Sequence, residues 1–172
     1  MHVVIDGLVI AGSYWLAWVL KFIGPFAEGS VRSLSWKWYM AVMVPVIPLY
    51  LILYYAFNLY TPKRVQGRRL EFSNIVKANT VGMLIVISCI YVLLKENNFS
   101  REMLFYFFCL NTCLEEMVRI GIRRILRKIR KKGLNQKHIL LVGYSRAAEE
   151  YIDRILQNPQ WGYHVRGILD DN

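Results

Sequence analysis

At 172 residues the chain has room for one ordinary domain, or for a membrane bundle with a small piece attached. A composition 55% hydrophobic and 14% aromatic, with mean hydropathy +0.28, is high for a soluble globular protein. The net charge of +10 is clustered, which fits nucleic-acid binding or membrane topology, and long uncharged apolar runs exclude nucleic acid as the partner.

In chain order, residues 3–23 carry only Asp6 and Lys21 as charges, one near each end. At about 1.5 Å per residue this stretch matches the roughly 30 Å hydrocarbon core. A cleaved signal peptide is the alternative, but Met1-His2 is no basic n-region and no small-residue cleavage site precedes Lys21. A retained transmembrane helix is expected. Gly24-Pro-Phe-Ala-Glu-Gly-Ser30 then reads as a turn-rich loop. Residues 38–60 form a second uncharged span, with Trp36, Trp38 and Tyr39 at one end and Tyr54, Tyr55 and Tyr60 toward the other as aromatic belts. Pro45 and Pro48 inside it predict a kinked helix whose freed carbonyls are satisfied by neighbours in a bundle.

Residues 61–77 are basic: Lys63, Arg64, Arg68, Arg69 and Lys77 stand against Glu71, a net +4. A third span covers about 75–94, followed by a loop over 95–102 with no net charge. The fourth span, 103–118, is the weakest, because its uncharged part stops at Leu114 and is too short to cross alone. Its helix is therefore expected to continue through Glu115, Glu116 and Met117 into the basic stretch beyond.

That stretch, residues 119–134, holds Arg119, Arg123, Arg124, Arg127, Lys128, Arg130, Lys131 and Lys132, with Ile122, Ile125, Leu126 and Ile129 at helical spacing. A basic amphipathic helix beside an apolar block suits an anionic membrane surface, the alternative being a solvated basic helix. Because residues 61–77 and this junction are basic while 95–102 is neutral, both chain ends are predicted on the cytoplasmic side of the plasma membrane, with four spans.

The cysteines Cys89, Cys109 and Cys113 lie inside predicted spans, which suggests small apolar packing rather than disulfides. His2, His138 and His164 lack metal-ligand spacing, so no zinc site is expected. Carboxylates near a bilayer are expensive and often functional. Glu115 and Glu116 are nonetheless read first as an interfacial ion pair with Arg119, at i+4 and i+3. Asp6 is read as reaching the interface or pairing with a basic loop residue.

Beyond the junction, residues 138–142 are a short apolar run, followed by Gly143-Tyr-Ser-Arg-Ala-Ala148. Ala148, Tyr151, Ile152, Ile155 and Leu156 then recur at helical spacing up to Asn158-Pro159, and residues 165–169 read as a second strand. Strand, tight turn, helix, strand is the opening of a Rossmann-like α/β unit. Gly143, Ser145 and Ala148 occupy the places of the nucleotide-binding glycines, degenerate at the second, and Asp170 stands where a ribose partner would. The pattern equally fits a structural βαβ with no ligand. Residues 137–172 are few for an independent domain, so the unit is predicted to be incomplete and the chain a fragment of a longer protein.

Several short motifs run nearly the whole chain: Asp6 with Ser13-Tyr14 and Ala17; Leu59-Tyr60; Glu71 with Lys77-Ala78-Asn79; and Ser100-Arg101. To these add the Arg-rich helix, Asn135-Gln-Lys-His-Ile-Leu-Leu-Val-Gly143, and Asn158-Pro159 with Gly162-Tyr163 and Gly167-Ile-Leu-Asp-Asp171. Together they resemble the N-terminal part of the bacterial polyprenyl glycosylphosphotransferases. The resemblance implies transfer of a phosphosugar from a nucleotide diphosphate sugar to undecaprenyl phosphate, in exopolysaccharide or capsule biosynthesis. It also implies a separate C-terminal catalytic domain with an acidic pair and magnesium, so no catalytic residue, metal or cofactor is assigned to this chain. Membrane-bound nucleotide-sugar dehydratases or epimerases are the alternative family, and a non-catalytic membrane scaffold that homo-oligomerises is a third reading.

Overall fold

The computed structural model describes residues 2–23, 35–61, 68–93, 99–143 and 145–169. The predicted loop at 24–30, residues 62–67 and 94–98 of the two loops that set the topology, and Asp170 lie outside the described residues. The chain divides into two compact units, Met1–Val118 and Arg119–Asn172.

The first unit is helical. Helix α1 spans His2–Phe22, α2 Trp36–Ala56, α3 Arg68–Leu93, and α4 Arg101–Lys131. Three helices are long and apolar enough to cross a membrane: His2–Phe22, Trp36–Ala56 and Arg69–Leu93. Helix α4 is not among them, because charges crowd both of its ends. Its 31 residues run unbroken from Arg101 through Glu115 and Glu116 into the basic stretch.

Helix α2 carries Pro45 and Pro48 in its interior. Each lacks an N–H, so the carbonyls of Ala41 and Val44 lose their usual helical donor. Its C-terminus closes at Asn58, whose positive φ of 56° lets the Leu59 N–H reach back to the Tyr54 carbonyl at 3.0 Å. Asn74 of α3 donates to the Phe57 carbonyl at 3.1 Å, satisfying a C-terminal acceptor from a neighbouring helix.

The core of the bundle is a stripe on each helix. On α1 it is Asp6, Ile10, Ser13, Tyr14, Ala17 and Lys21; on α2, Tyr39, Val46, Tyr50 and Tyr54. On α4, Met103, Phe107, Asn111 and Glu115 are buried at four-residue intervals. The outward faces are apolar, with Leu8, Trp15, Ile52, Leu84 and Phe105 exposed, as a lipid-facing surface requires. Cys89, Cys109 and Cys113 are on that exposed side and free, not packed in the core as expected. Hydropathy cannot distinguish a lipid-facing cysteine from a buried one.

The second unit contains strand β1 (Lys137–Val142), helix α5 (Arg146–Gln157), a 3-10 turn at Pro159–Trp161, and strand β2 (Tyr163–Leu169). The strands pair in parallel, so strand, helix, strand follow one another as a βαβ unit. One irregularity lies between Ile139 and Leu140: Ile139 pairs with Val165 but Leu140 with Gly167, leaving Arg166 as an extra residue. The two-stranded sheet and one helix bury little. Ile155 is the buried apolar side chain of this unit among the described residues, while Leu140 and Val142 stay exposed.

Candidate functional site

Four helices meet at one hydrogen-bonded cluster. Tyr54 of α2 donates its hydroxyl proton to Asn79 Oδ1 of α3 at 2.8 Å. Asn111 Nδ2 of α4 donates to both the Tyr54 hydroxyl oxygen at 3.0 Å and Asn79 Oδ1 at 3.1 Å. Two acceptors for one amide nitrogen fix which way the Asn111 side chain is turned. Ser13 of α1 completes the set, its Oγ lying 3.0 Å from Asn111 Oδ1 and 2.9 Å from the Ile10 carbonyl, two acceptors for one proton. Asn79 Nδ2 donates to Thr112 Oγ1 at 2.9 Å, and that hydroxyl donates to the Phe108 carbonyl at 2.8 Å. Ser13, Asn79 and Asn111 are fully buried.

The physical reason for such a cluster follows from the surroundings. In a dry apolar interior an unsatisfied amide costs several kcal/mol, so each of these side chains needs the others. In lipid, where apolar packing gives helices no hydrophobic reason to associate, polar contacts of this kind are what hold helix to helix.

Asp6 and Glu115 belong to the same region. Both are buried, at 1% and 0% exposure. The sequence placed them at the interface because an isolated carboxylate belongs in water. The structure instead buries both carboxyl side chains. At the other end Lys21 of α1 pairs with Glu102 of α4. Lys21–Glu102 and Ser13–Asn111 lie eight residues apart along α1 and nine along α4, in opposite senses, so these helices run antiparallel. Ser100 caps α4 by accepting from the Met103 N–H at 3.4 Å, and its own N–H donates to the Tyr39 hydroxyl at 3.3 Å.

The turn after β1 is the second candidate. Gly143 has φ +82°, a left-handed conformation that a side chain would strain. Its N–H donates to the Leu169 carbonyl at 2.7 Å. Ser145 is the N-cap of α5, its hydroxyl accepting from Ala148 N at 3.3 Å. Gly143, Ser145 and Ala148 are thus brought together, but the Gly143 N–H, the Ser145 hydroxyl and the Ala148 N–H are already engaged. The donors left to an anion are the first backbone N–H groups of α5, at Arg146 and Ala147.

Of the basic junction residues, Arg124, Lys128, Lys131 and Lys132 are exposed, Arg123, Arg127 and Arg130 are half-buried, and Arg119 is 7% exposed. Arg119 is therefore no surface residue. Ile125, at 59% exposure, lies among the exposed charges. The helix ends at Gly133 (φ +81°), past which the Leu134 N–H reaches the Ile129 carbonyl at 3.2 Å.

A family model described as a CoA-binding domain matches residues 55–172, more than half of the chain. The chain belongs to this CoA-binding domain family. The family is found in polyprenyl glycosylphosphotransferases. No curated protein and no solved structure matches. The region matched by the CoA-binding domain model starts at Tyr55 and includes the last two residues of α2, then α3, α4 and the whole βαβ unit, so it contains Asn79, Asn111, Gly143 and Ser145.

Proposed function

We propose that the chain is the membrane-anchoring portion of a sugar-phosphate transferase of exopolysaccharide or capsule biosynthesis. In that reading α1–α4 are four plasma-membrane spans with both termini cytoplasmic. Helix α4, too polar to cross alone, does so as a member of the bundle. Transfer of a phosphosugar from a nucleotide diphosphate sugar to undecaprenyl phosphate belongs to a separate, magnesium-dependent catalytic portion.

The observation that carries this reading is the four-helix polar cluster. It draws Asn111 of α4 to Ser13, Tyr54 and Asn79 of the three apolar helices. Ser13 and Asn79 also stand in the motifs shared with the glycosylphosphotransferases. The exposed Arg124, Lys128, Lys131 and Lys132 then lie on anionic headgroups, at about 1 kcal/mol per basic residue.

A chimera tests the proposal. The chain replaces the N-terminal part of a soluble-truncated glycosylphosphotransferase, and membrane attachment and lipid-linked product are measured. Restored attachment and product are expected, while the chain alone, supplied with donor, undecaprenyl phosphate and magnesium, forms none. A chimera that stays soluble, or product formed by the chain alone, overturns it. Reporter fusions at Asn97 and Asn172 check the topology, with an exterior-dependent reporter active at Asn97 only.

A further inference from the structure

Outside the two candidate sites, the parallel sheet carries a pair of histidines that the sequence spacing hides. His138 of β1 and His164 of β2 are 26 positions apart in the chain but are register partners across the sheet. Paired residues of neighbouring strands project to the same face. The ring centroids lie 5.6 Å apart with the planes at 89°. Both side chains are exposed, and among the described residues neither imidazole hydrogen-bonds a protein group. Both rings therefore lie on an exposed face of the sheet.

We propose that His138 and His164 form a two-imidazole site for a divalent transition-metal ion of the nickel, copper or zinc class. The geometry supports it. An ion about 2.0 Å from one nitrogen of each ring, at a tetrahedral to trigonal angle, puts the two centroids about 5 to 5.5 Å apart. The observed separation is just above that range, and because the rings meet edge to face, both side chains must rotate to turn one nitrogen of each toward a common ion. Neutral imidazole suits these ions, whereas magnesium prefers oxygen ligands and is excluded by the donor set. Two protein ligands leave the remaining coordination positions to water or to a donor from another molecule. Because one ligand comes from each strand, the bound ion clips β1 to β2 and binds the folded unit in preference to the unfolded one.

The experiment uses the full chain, without an affinity tag, in nanodiscs and on a His2→Gln background that removes the remaining histidine. Ni²⁺, Zn²⁺ and Mg²⁺ are added in turn, and histidine modification by diethyl pyrocarbonate is mapped by mass spectrometry. One equivalent of Ni²⁺ or Zn²⁺ is expected to slow modification of His138 and His164 together by at least five-fold, and Mg²⁺ to have no effect. His138→Gln is expected to abolish protection of His164, and His164→Gln that of His138, with circular dichroism unchanged in the absence of metal. Protection of one histidine without its partner, equal protection by Mg²⁺, or modification rates indifferent to metal would each overturn the proposal. If a glutamine variant loses its fold, joint protection in the parent protein remains the deciding readout.

Discussion

The helical bundle and the βαβ unit solve opposite problems with opposite materials. The bundle has an apolar exterior and a core threaded with Asp6, Ser13, Asn79, Asn111 and Glu115. The βαβ unit has a charged exterior, and its buried apolar side chain is Ile155. In water, burial of apolar surface supplies the driving force, about 25 cal/mol per Å²; in lipid that term vanishes between helices and polar contacts take its place. The contrast teaches that the same residue type has reversed meaning in the two units. Asn111 ties three helices to its own in one, whereas in the other Asn158 merely donates to the Arg154 carbonyl.

The sharpest way to break the contrast is Ile155→Ala. A core isoleucine truncated to alanine costs about 2–5 kcal/mol, enough to melt a unit with so little else buried. Hydrogen exchange at residues 137–169 should accelerate strongly while α1–α3 keep their protection. Acceleration throughout would show that the two units do not fold separately.

Asn111→Ala is the converse test. It removes three interhelical bonds at once, each about 0.6 to 1.7 kcal/mol in a membrane protein, for a loss of about 2–4 kcal/mol. Unfolding of the chain in mixed micelles should reveal it, and Ser13→Ala should lose about 1 kcal/mol. Equal effects from the two variants would mean that Asn111 is no hub.

Gly82→Ala probes close approach in the bundle. A Cβ there would lie 2.8 Å from the buried Tyr50 ring and 3.1 Å from Leu53. Overpacking of this kind costs about 1–3 kcal/mol, and Gly82→Ala combined with Tyr50→Leu should recover most of it. The smallest effect belongs to Ser145→Ala, which removes the α5 cap and about 1 kcal/mol from the βαβ unit alone. A thermal midpoint unchanged for that unit would show the cap to be dispensable.

The three apolar helices were legible because a run of some twenty uncharged residues has few other uses. The order strand, helix, strand was legible because Gly143 and Asn158-Pro159 punctuate it. What the sequence could not show was which face each polar residue of a span presents. Tyr54, Asn79 and Asn111 sit in different helices, and only assembly makes them one cluster. The burial of Asp6 and Glu115 was equally out of sight, since spacing along one helix does not say which face packs inward. The His138–His164 pair was invisible for a similar reason, since strand register is a property of two segments and not of either alone.

The extra residue in β2 has a consequence for how the unit tolerates insertions and deletions. Along a regular strand, residues separated by an even number of steps share a face. Val165 and Ile168 are separated by three, yet each pairs with a residue, Ile139 or Leu141, that is more buried than its neighbour Leu140. Arg166 absorbs the odd step. Deleting it would leave two steps between Val165 and Ile168, so Ile168 would keep the face of Ile139 and Leu141, and Gly167 that of Leu140, in a regular strand. Loss of that one surface arginine would thus straighten the strand without exchanging its faces, a change of length that the pairing absorbs and that no substitution at the same position could imitate.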